Sequence, residues 1–217
     1  METDNNFYHR AYELMQPLGI LGGWNLSKDQ HIGAISEIFP IGRELNVLYA
    51  GTATAKNPID TKKALIEAGY DPQVTVLDIV SRPLRKLQKK DNGIITQKCN
   101  VADTCFPDKY FDVITTDFLL NMGSLETGTE IVKEMARLLK PDGIISMTVF
   151  TEENRRRNFQ SVLIDRFGKK HFFPKETWNE LFSRFGLDLL LTTFCVENKP
   201  LLYHSDEFTH MAAIKKT

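Results

Sequence analysis

The sequence predicts an α/β domain built on a doubly wound, mostly parallel sheet, and three observations carry that prediction. Short apolar runs bounded by turn residues alternate with helical patterns from Leu45 to Phe150, the rhythm of buried parallel strands and their crossover helices. The first run, Leu45-Asn-Val-Leu-Tyr-Ala50, breaks at Gly51 into Thr52-Ala-Thr-Ala55 and then into a helical pattern with Ile59, Lys63, Ile66 and Glu67. Strand, small-residue turn and helix is the layout that brings backbone amides and a helix N-terminus close to a nucleotide. Finally, Asp188–Val196 and Tyr203–Lys215 read as two strands joined by Glu197-Asn-Lys-Pro200, hence an antiparallel pair.

Composition sets the bounds. The 217 residues, 42% hydrophobic and 25% charged, are ordinary for a globular domain and enough to bury a substantial core. A net charge of −1 makes nucleic acid and anionic membrane unlikely partners. Cys99, Cys105 and Cys195 are odd in number and widely spaced, which suits reduced thiols in the cytoplasm. The start, Met1-Glu-Thr-Asp-Asn-Asn6, has neither the charge nor the apolar core of a targeting peptide. No apolar run approaches the ~20 residues needed to span a bilayer.

The elements follow in order. Phe7, Tyr8, Ala11, Leu14 and Met15 recur at helical spacing after an Asp4 cap, and Pro17 and Gly19 end that helix. Ser27 is expected to cap a second helix with Ile32, Ile35, Ile38 and Phe39 on one face, closed by Pro40 and Gly42. Residues 1–44 are therefore expected to form a helical cap over one edge of a core domain, residues 45–217. Val74–Asp78 is a strand after an Asp71-Pro72 turn, and Pro83 starts a helix over Leu84–Lys90. Asp91-Asn-Gly93 leads into the strand Ile94–Gln97. Phe111–Thr116 is a strand, Leu125–Leu139 a helix ended by Lys140-Pro-Asp-Gly143, and Ile144–Phe150 a strand. Glu152–Phe167 and Pro174–Phe185 complete the helices, the second ended by Gly186.

Three segments in this order resemble those of the class I S-adenosylmethionine-dependent methyltransferases. Asn100-Val-Ala-Asp-Thr-Cys-Phe-Pro-Asp-Lys-Tyr-Phe-Asp-Val-Ile114 is similar to the family's "GDVRDLPFPDNSFDVI". Ile131-Val-Lys-Glu-Met-Ala-Arg-Leu-Leu-Lys-Pro-Asp-Gly-Ile-Ile145 is similar to "EIARVLKPGGRL". Phe172-Phe-Pro-Lys-Glu-Thr-Trp-Asn-Glu-Leu-Phe-Ser-Arg-Phe-Gly186 is similar to "yfspeelrelleeaGF". The resemblance covers roughly residues 45–216. It implies a seven-stranded sheet of order 3-2-1-4-5-7-6 with the last strand antiparallel, and S-adenosylmethionine as cofactor. Against the family's "VLDLGCGTG", Val47-Leu-Tyr-Ala-Gly-Thr-Ala-Thr-Ala55 departs: Tyr49 replaces the acid, and Ala53 and Ala55 replace glycines. A β-carbon at such a site crowds the ligand and disfavours positive φ by roughly 1 kcal/mol or more.

The candidate site residues follow from position and chemistry. Asp78, at the end of the second strand, suits both ribose hydroxyls or, alternatively, a cap on the helix near Ser81. By resemblance, Tyr49, Gly51, Thr52, Ala53 and Ile79 would join the cofactor contacts, Asn100 would take the adenine position and Val101 would lend its amide. Asn100 reads equally as a turn residue. Thr52, Thr54 and Lys56 are candidates for the cofactor's carboxylate. Asp117 ends the fourth strand, where open α/β sheets bind substrates, so it is a candidate for both cofactor contact and catalysis. Asn121 would orient an acceptor or cap the next helix. Tyr8 and His9 are further candidate bases if the first helix covers the pocket. His171, His204 and His210 lack metal-ligand spacing, so no metal site is read here. Arg155-Arg-Arg157 reads as a solvated face or a contact for an anionic group. The reading that results is methyl transfer to a small molecule. A degenerate relative that scaffolds a partner or runs another reaction stands as the alternative, and an RNA or protein acceptor as a third reading.

Overall fold

A computed structural model describes residues 24–52, 54–153, 171–199 and 204–216. Its elements are α1 (Trp24–Ile38), β1 (Glu44–Ala50), α2 (Lys56–Glu67), β2 (Asp71–Asp78), α3 (Ser81–Lys90), β3 (Ile95–Lys98) and β4 (Phe111–Asp117). A 3-10 turn (Leu119–Met122), α4 (Leu125–Leu138), β5 (Leu139–Val149), α5 (Lys175–Arg184), β6 (Leu187–Lys199) and β7 (His204–Lys215) complete it. The seven strands form one sheet in the order β3-β2-β1-β4-β5-β7-β6. β7 runs antiparallel to both its neighbours, and the pairs from β3 to β5 are parallel. The expected sheet order and antiparallel last strand are both present.

Alternation along the strands sends neighbouring side chains to opposite faces. Leu48, Ile114, Ile145, Met147 and Met211 meet Ile131, Val132 and Met135 of α4 and Trp178 and Phe182 of α5. Val47, Tyr49, Val113, Ile144 and Ala212 face Ala34 and Ile35 of α1, Leu65 of α2 and Leu84 and Leu87 of α3. The helix N-caps vary. Ser124 caps α4 by accepting from the Thr127 amide at 3.2 Å, and Lys215 holds the carbonyls of Ala136 and Leu139 at that helix's other end.

The family-like segments have structural explanations. Glu134 and Arg137 on α4 clamp the loop before β4: Glu134 accepts from the Thr104 amide and hydroxyl, and Arg137 reaches Asp108 and the Phe106 carbonyl. The Arg137 guanidinium, opposed by partial burial and helped by Thr104, holds the Glu134 carboxyl at about 2. Asp112, buried at the start of β4, accepts from Arg43, the Asn46 amide and Lys140. It ties together the starts of β1, β4 and β5.

Five local expectations change. Ser27 lies inside α1 rather than at its cap. α1 lies across the face of β4, β5 and β7 rather than over a sheet edge. Asp71-Pro72 begins β2 instead of turning before it; β3 pairs with β2 only from Thr75 onward, so the missing Pro72 amide disrupts no bond on that side. Lys140–Gly143 is the irregular start of β5, with a register shift opposite Phe111/Val113 and Asp142 at φ 60°. Glu197, Asn198 and Lys199, expected in the turn, extend β6 and pair with Asp206, Ser205 and His204 of β7. The expected helices at 4–16 and 152–167 fall wholly or largely outside the described residues, as do Tyr8, His9, Ala53, Arg155–Arg157 and Pro200.

Candidate functional site

Two neighbouring arrangements sit at the carboxyl ends of the central strands. The first is a cleft of about 170 Å³ lined in part by Gly51, Asp78, Ile79, Asn100, Val101 and Leu119. Gly51 has φ +73°, and a β-carbon there would stand 2.9 Å from Leu119 Cδ1. The positive φ is what requires glycine there, since the Leu119 side chain can shift. Asp78 is buried, with Oδ2 accepting from the Thr52 amide and Oδ1 from the Val80 amide, each at 2.7 Å. The carboxylate thus pins the β1 turn against the end of β2 at the lining of the cleft. Ile79 is 48% exposed at the rim while Val101 is buried, which leaves an apolar slot between two loops.

The residues expected at the polar end of that cleft are otherwise engaged. Thr52 donates its hydroxyl to the Thr54 carbonyl at 2.6 Å, and Thr54 donates to Asn57 Oδ1 at 3.1 Å. Lys56 pairs with Asp60. Asn100 accepts from the Ala102 amide at 3.0 Å, the turn role, so its oxygen is partly spent. Ala55 sits at φ −68°, in the right-handed region. The positive-φ strain anticipated for that alanine is absent, and among these motif positions described only Gly51 carries positive φ. Asn121 neither caps a helix nor lines the cleft. It is buried, donates to the carbonyls of Phe150 and His171 and accepts from the Phe150 amide.

The second arrangement is a polar network under α1. Tyr49 donates to Asp117 Oδ2 at 2.6 Å. Oδ1 of the same carboxylate takes Ser27, Thr148 at 2.7 Å and His31 Nε2 at 3.2 Å. His31 Nδ1 lies 2.7 Å from Ser146 Oγ, which lies 2.9 Å from His210 Nε2. Strand alternation accounts for the gathering: Tyr49, Asp117, Ser146, Thr148 and His210 all fall on the face that α1 covers. Ser27, His31 and Ile35 repeat every four residues along the facing stripe of that helix. Burial opposes ionisation of Asp117, but the charge and hydrogen bond of His31 and the hydroxyls of Ser27 and Tyr49 outweigh it and hold the carboxyl at about 2. Burial, then the neighbouring His31, push His210 down to about 3, with Asp117 opposing. His210 Nδ1 and Thr115 Oγ1, both buried, have no partner among the described residues.

Tyr49 and Asp117, expected at the cofactor, therefore meet each other instead, on a different side from the cleft lining. Ser27, His31, Ser146, Thr148 and His210 were not anticipated. Their signal was a polar residue at every second position of strands otherwise apolar, facing a Ser–His pair four residues apart.

The comparisons with known proteins bear on the fold. A family model for a methyltransferase domain matches residues 60–147. A search of curated proteins finds no match. Solved structures share the fold at low identity. The Burkholderia thailandensis 1,6-didemethyltoxoflavin-N1-methyltransferase, with its substrate and S-adenosylhomocysteine bound, is similar with a TM-score of 0.70 at 15% identity, over 98% of this chain and 87% of that one. A Methanosarcina mazei S-adenosylmethionine-dependent methyltransferase gives 0.65 at 16%, over 84% and 96%. The geranyl diphosphate C-methyltransferase of Streptomyces coelicolor gives 0.66 at 10%, over 88% and 81%. Among the described residues no helix is long and apolar enough to cross a membrane. The domain match over residues 60–147, the structural likeness and the sheet order together give the chain the fold of the class I methyltransferases.

Proposed function

We propose that the protein transfers a methyl group from S-adenosylmethionine to a small-molecule acceptor. The observation that carries this is the cleft at the carboxyl ends of β1 and β2, where Gly51, Asp78, Ile79 and Val101 come together. Such a set fits an adenosine: a glycine for close backbone approach, a carboxylate for ribose hydroxyls, and apolar side chains for a purine. Asn100 closes the slot from its loop. The cofactor supplies an already activated methyl, so the chain's task is alignment and exclusion of water. Asp117 then orients the acceptor rather than removing its proton, because a carboxyl held at about 2 is a weak base at neutral pH. Tyr8 and His9 stay candidates for that proton, on a cap of residues 1–44 of which α1 is the described part. Free Cys99, Cys105 and Cys195 suit a cytoplasmic setting, and two of the similar structures hold small-molecule substrates.

The second reading, a methyltransferase fold without methyl transfer, is favoured by one observation: Tyr49 stands where the family has an acid and its hydroxyl is committed to Asp117. Calorimetric titration with S-adenosylhomocysteine separates the two. Saturable one-to-one binding is expected, and no heat and no thermal shift at millimolar ligand would overturn the first reading.

A further inference from the structure

The net charge of −1 conceals an uneven distribution. Residues 81–98 carry Arg82, Arg85, Lys86, Lys89, Lys90 and Lys98 against Asp91 alone, so the rest of the chain is acidic. The first five cations recur along α3 at steps of three and four residues, which sets them on one face of that helix. Its other face, Pro83, Leu84 and Leu87, is buried, and the helix lies on β2 and β3. Arg85, Lys86, Lys89 and Lys90 are exposed. Thr96 of β3 donates to Gln88 of α3 at 2.8 Å, so Lys98, exposed and two residues on, stands on the same side of the sheet.

A solvated helix face ordinarily mixes its signs, and two neighbouring helices do so. On α2, Lys56 pairs with Asp60; on α4, Lys133 pairs with Glu130 and Arg137 with Glu134. α3 has no acid of its own. Of the acids that flank it in sequence, Asp78 accepts from the Thr52 and Val80 amides and Asp91 from Lys62. The negative end of the helix accounts for Lys89 and Lys90 in the last turn, but not for Arg82, Arg85 and Lys86. Like charges three and four residues apart repel one another, so this face favours a polyanion.

We propose that the exposed face of α3, with Lys98 beside it, docks the phosphodiester backbone of a nucleic-acid strand. Three features choose that occupant. A protein partner is anchored by apolar or aromatic side chains at the centre of the patch, and none of the exposed large hydrophobic residues lies on α3. A membrane-surface helix turns its apolar face to the lipid, whereas that of α3 is spent on the sheet. A flat anionic bilayer would also meet the acidic remainder of the chain, while a strand of phosphates follows a stripe one helix wide. From Arg82 to Lys90 the stripe rises about 12 Å, the length over which one strand presents about three or four phosphates. Contacts of this kind read charge and not sequence, and they lie outside the cofactor cleft.

The test is fluorescence anisotropy of a labelled oligouridylate of about 20 nucleotides with the full chain, between about 50 and 200 mM salt. Binding is expected, with log affinity falling against log salt at a slope of about −2 to −3, the value for three or four single-strand phosphate contacts. Arg85→Gln with Lys89→Gln is expected to weaken binding about tenfold or more at the lowest salt and to reduce the slope by about 1.4. Should that pair fail to fold, Lys90→Gln alone is expected to reduce it by about 0.7. Lys133→Gln with Lys175→Gln, on α4 and α5, is expected to change neither quantity. No binding at the lowest salt would overturn the proposal, and so would binding that survives the α3 substitutions or is lost instead on neutralising Arg155, Arg156 and Arg157. An oligoglutamate of equal charge, or phosphatidylserine vesicles, held as tightly through α3 would overturn it in favour of an acidic protein or a membrane. None of these outcomes bears on S-adenosylhomocysteine binding, so the methyltransferase reading stands or falls separately.

Discussion

Lowering the pH should unfold this protein earlier than its carboxylates alone require, and His210 is the reason. Its ring is fully buried between Ser146 and the His31 ring, 5.3 Å away centroid to centroid, and its proton affinity falls from the usual value of 6.5 to about 3. An unfolded histidine takes up a proton once the pH drops below its ordinary value; the folded one stays neutral until about 3. Between those limits the unfolded state binds more protons, so stability falls as the pH falls. Over the whole window the loss approaches about 5 kcal/mol, and from pH 7 to pH 5 it is about 2 kcal/mol. Asp117 contributes in a different window. Its carboxyl lies below the ordinary 3.8, so its contribution is complete above that value and fades only as the pH falls toward 2. Urea unfolding at pH 7, 6 and 5, with the slope m held constant across the series, isolates the histidine term when the parent is compared with His210→Phe. The variant should lose about 2 kcal/mol less than the parent between pH 7 and pH 5. Parallel losses in the two proteins would refute the reasoning, because they would show that His210 binds its proton equally well folded and unfolded.

Three other outcomes are expected. Asp78→Ala removes an acceptor for the Thr52 and Val80 amides as well as the candidate ribose ligand, so it should weaken S-adenosylhomocysteine binding at least about tenfold and cost about 1–3 kcal/mol of stability; calorimetry and urea unfolding on one sample report both, and unchanged affinity would leave Asp78 as a loop pin. Thr115→Val replaces a buried hydroxyl without a described partner by an isosteric methyl, so a gain of about 1 kcal/mol is expected in thermal unfolding, and a loss would mean the hydroxyl is satisfied. Tyr49→Asp places a second carboxylate beside a buried one, and the like charges should cost about 3 kcal/mol or more at pH 7. Full stability in that variant would show that the site accepts the family's acid after all.

What the sequence disclosed, and what it hid, divides along physical lines. Sheet order and helix positions were legible because they depend on periodicity and punctuation: β4, α4 and the β6–β7 pair stand within a few residues of their expected bounds. Asp71-Pro72 misled because a proline reads as a break unless the strand's partner on that side is known to be short. Ser27 misled for a related reason. A serine before an apolar stripe is the mark of a cap, and only the tertiary arrangement reveals a carboxylate from β4 waiting for its hydroxyl. The expected crowding at Ala55 failed because a glycine in a family motif need not have positive φ at every position; here only Gly51 does among those described. Asp78, Ile79, Asn100 and Val101 did converge on one cleft, since each was placed by the strand end that carries it. Asp117 was placed correctly at the end of β4, but its neighbours were not legible. The network around it joins α1, β1, β4, β5 and β7, and no local pattern encodes a contact between residues as far apart in sequence as Ser27 and Asp117 or Ser146 and His210.

The exchange at Tyr49 is best understood together with Asp117. β1 and β4 are adjacent parallel strands, and Tyr49 pairs with Thr115, two residues before Asp117 on the same face. An acid at position 49 would bring a second negative charge next to a carboxylate that already sits in a buried network, at a cost of about 3 kcal/mol or more. A tyrosine resolves the conflict by donating a hydrogen bond at 2.6 Å where an acid would repel. The negative charge at this junction is thus carried by β4, at Asp117, with Tyr49 of β1 as its donor.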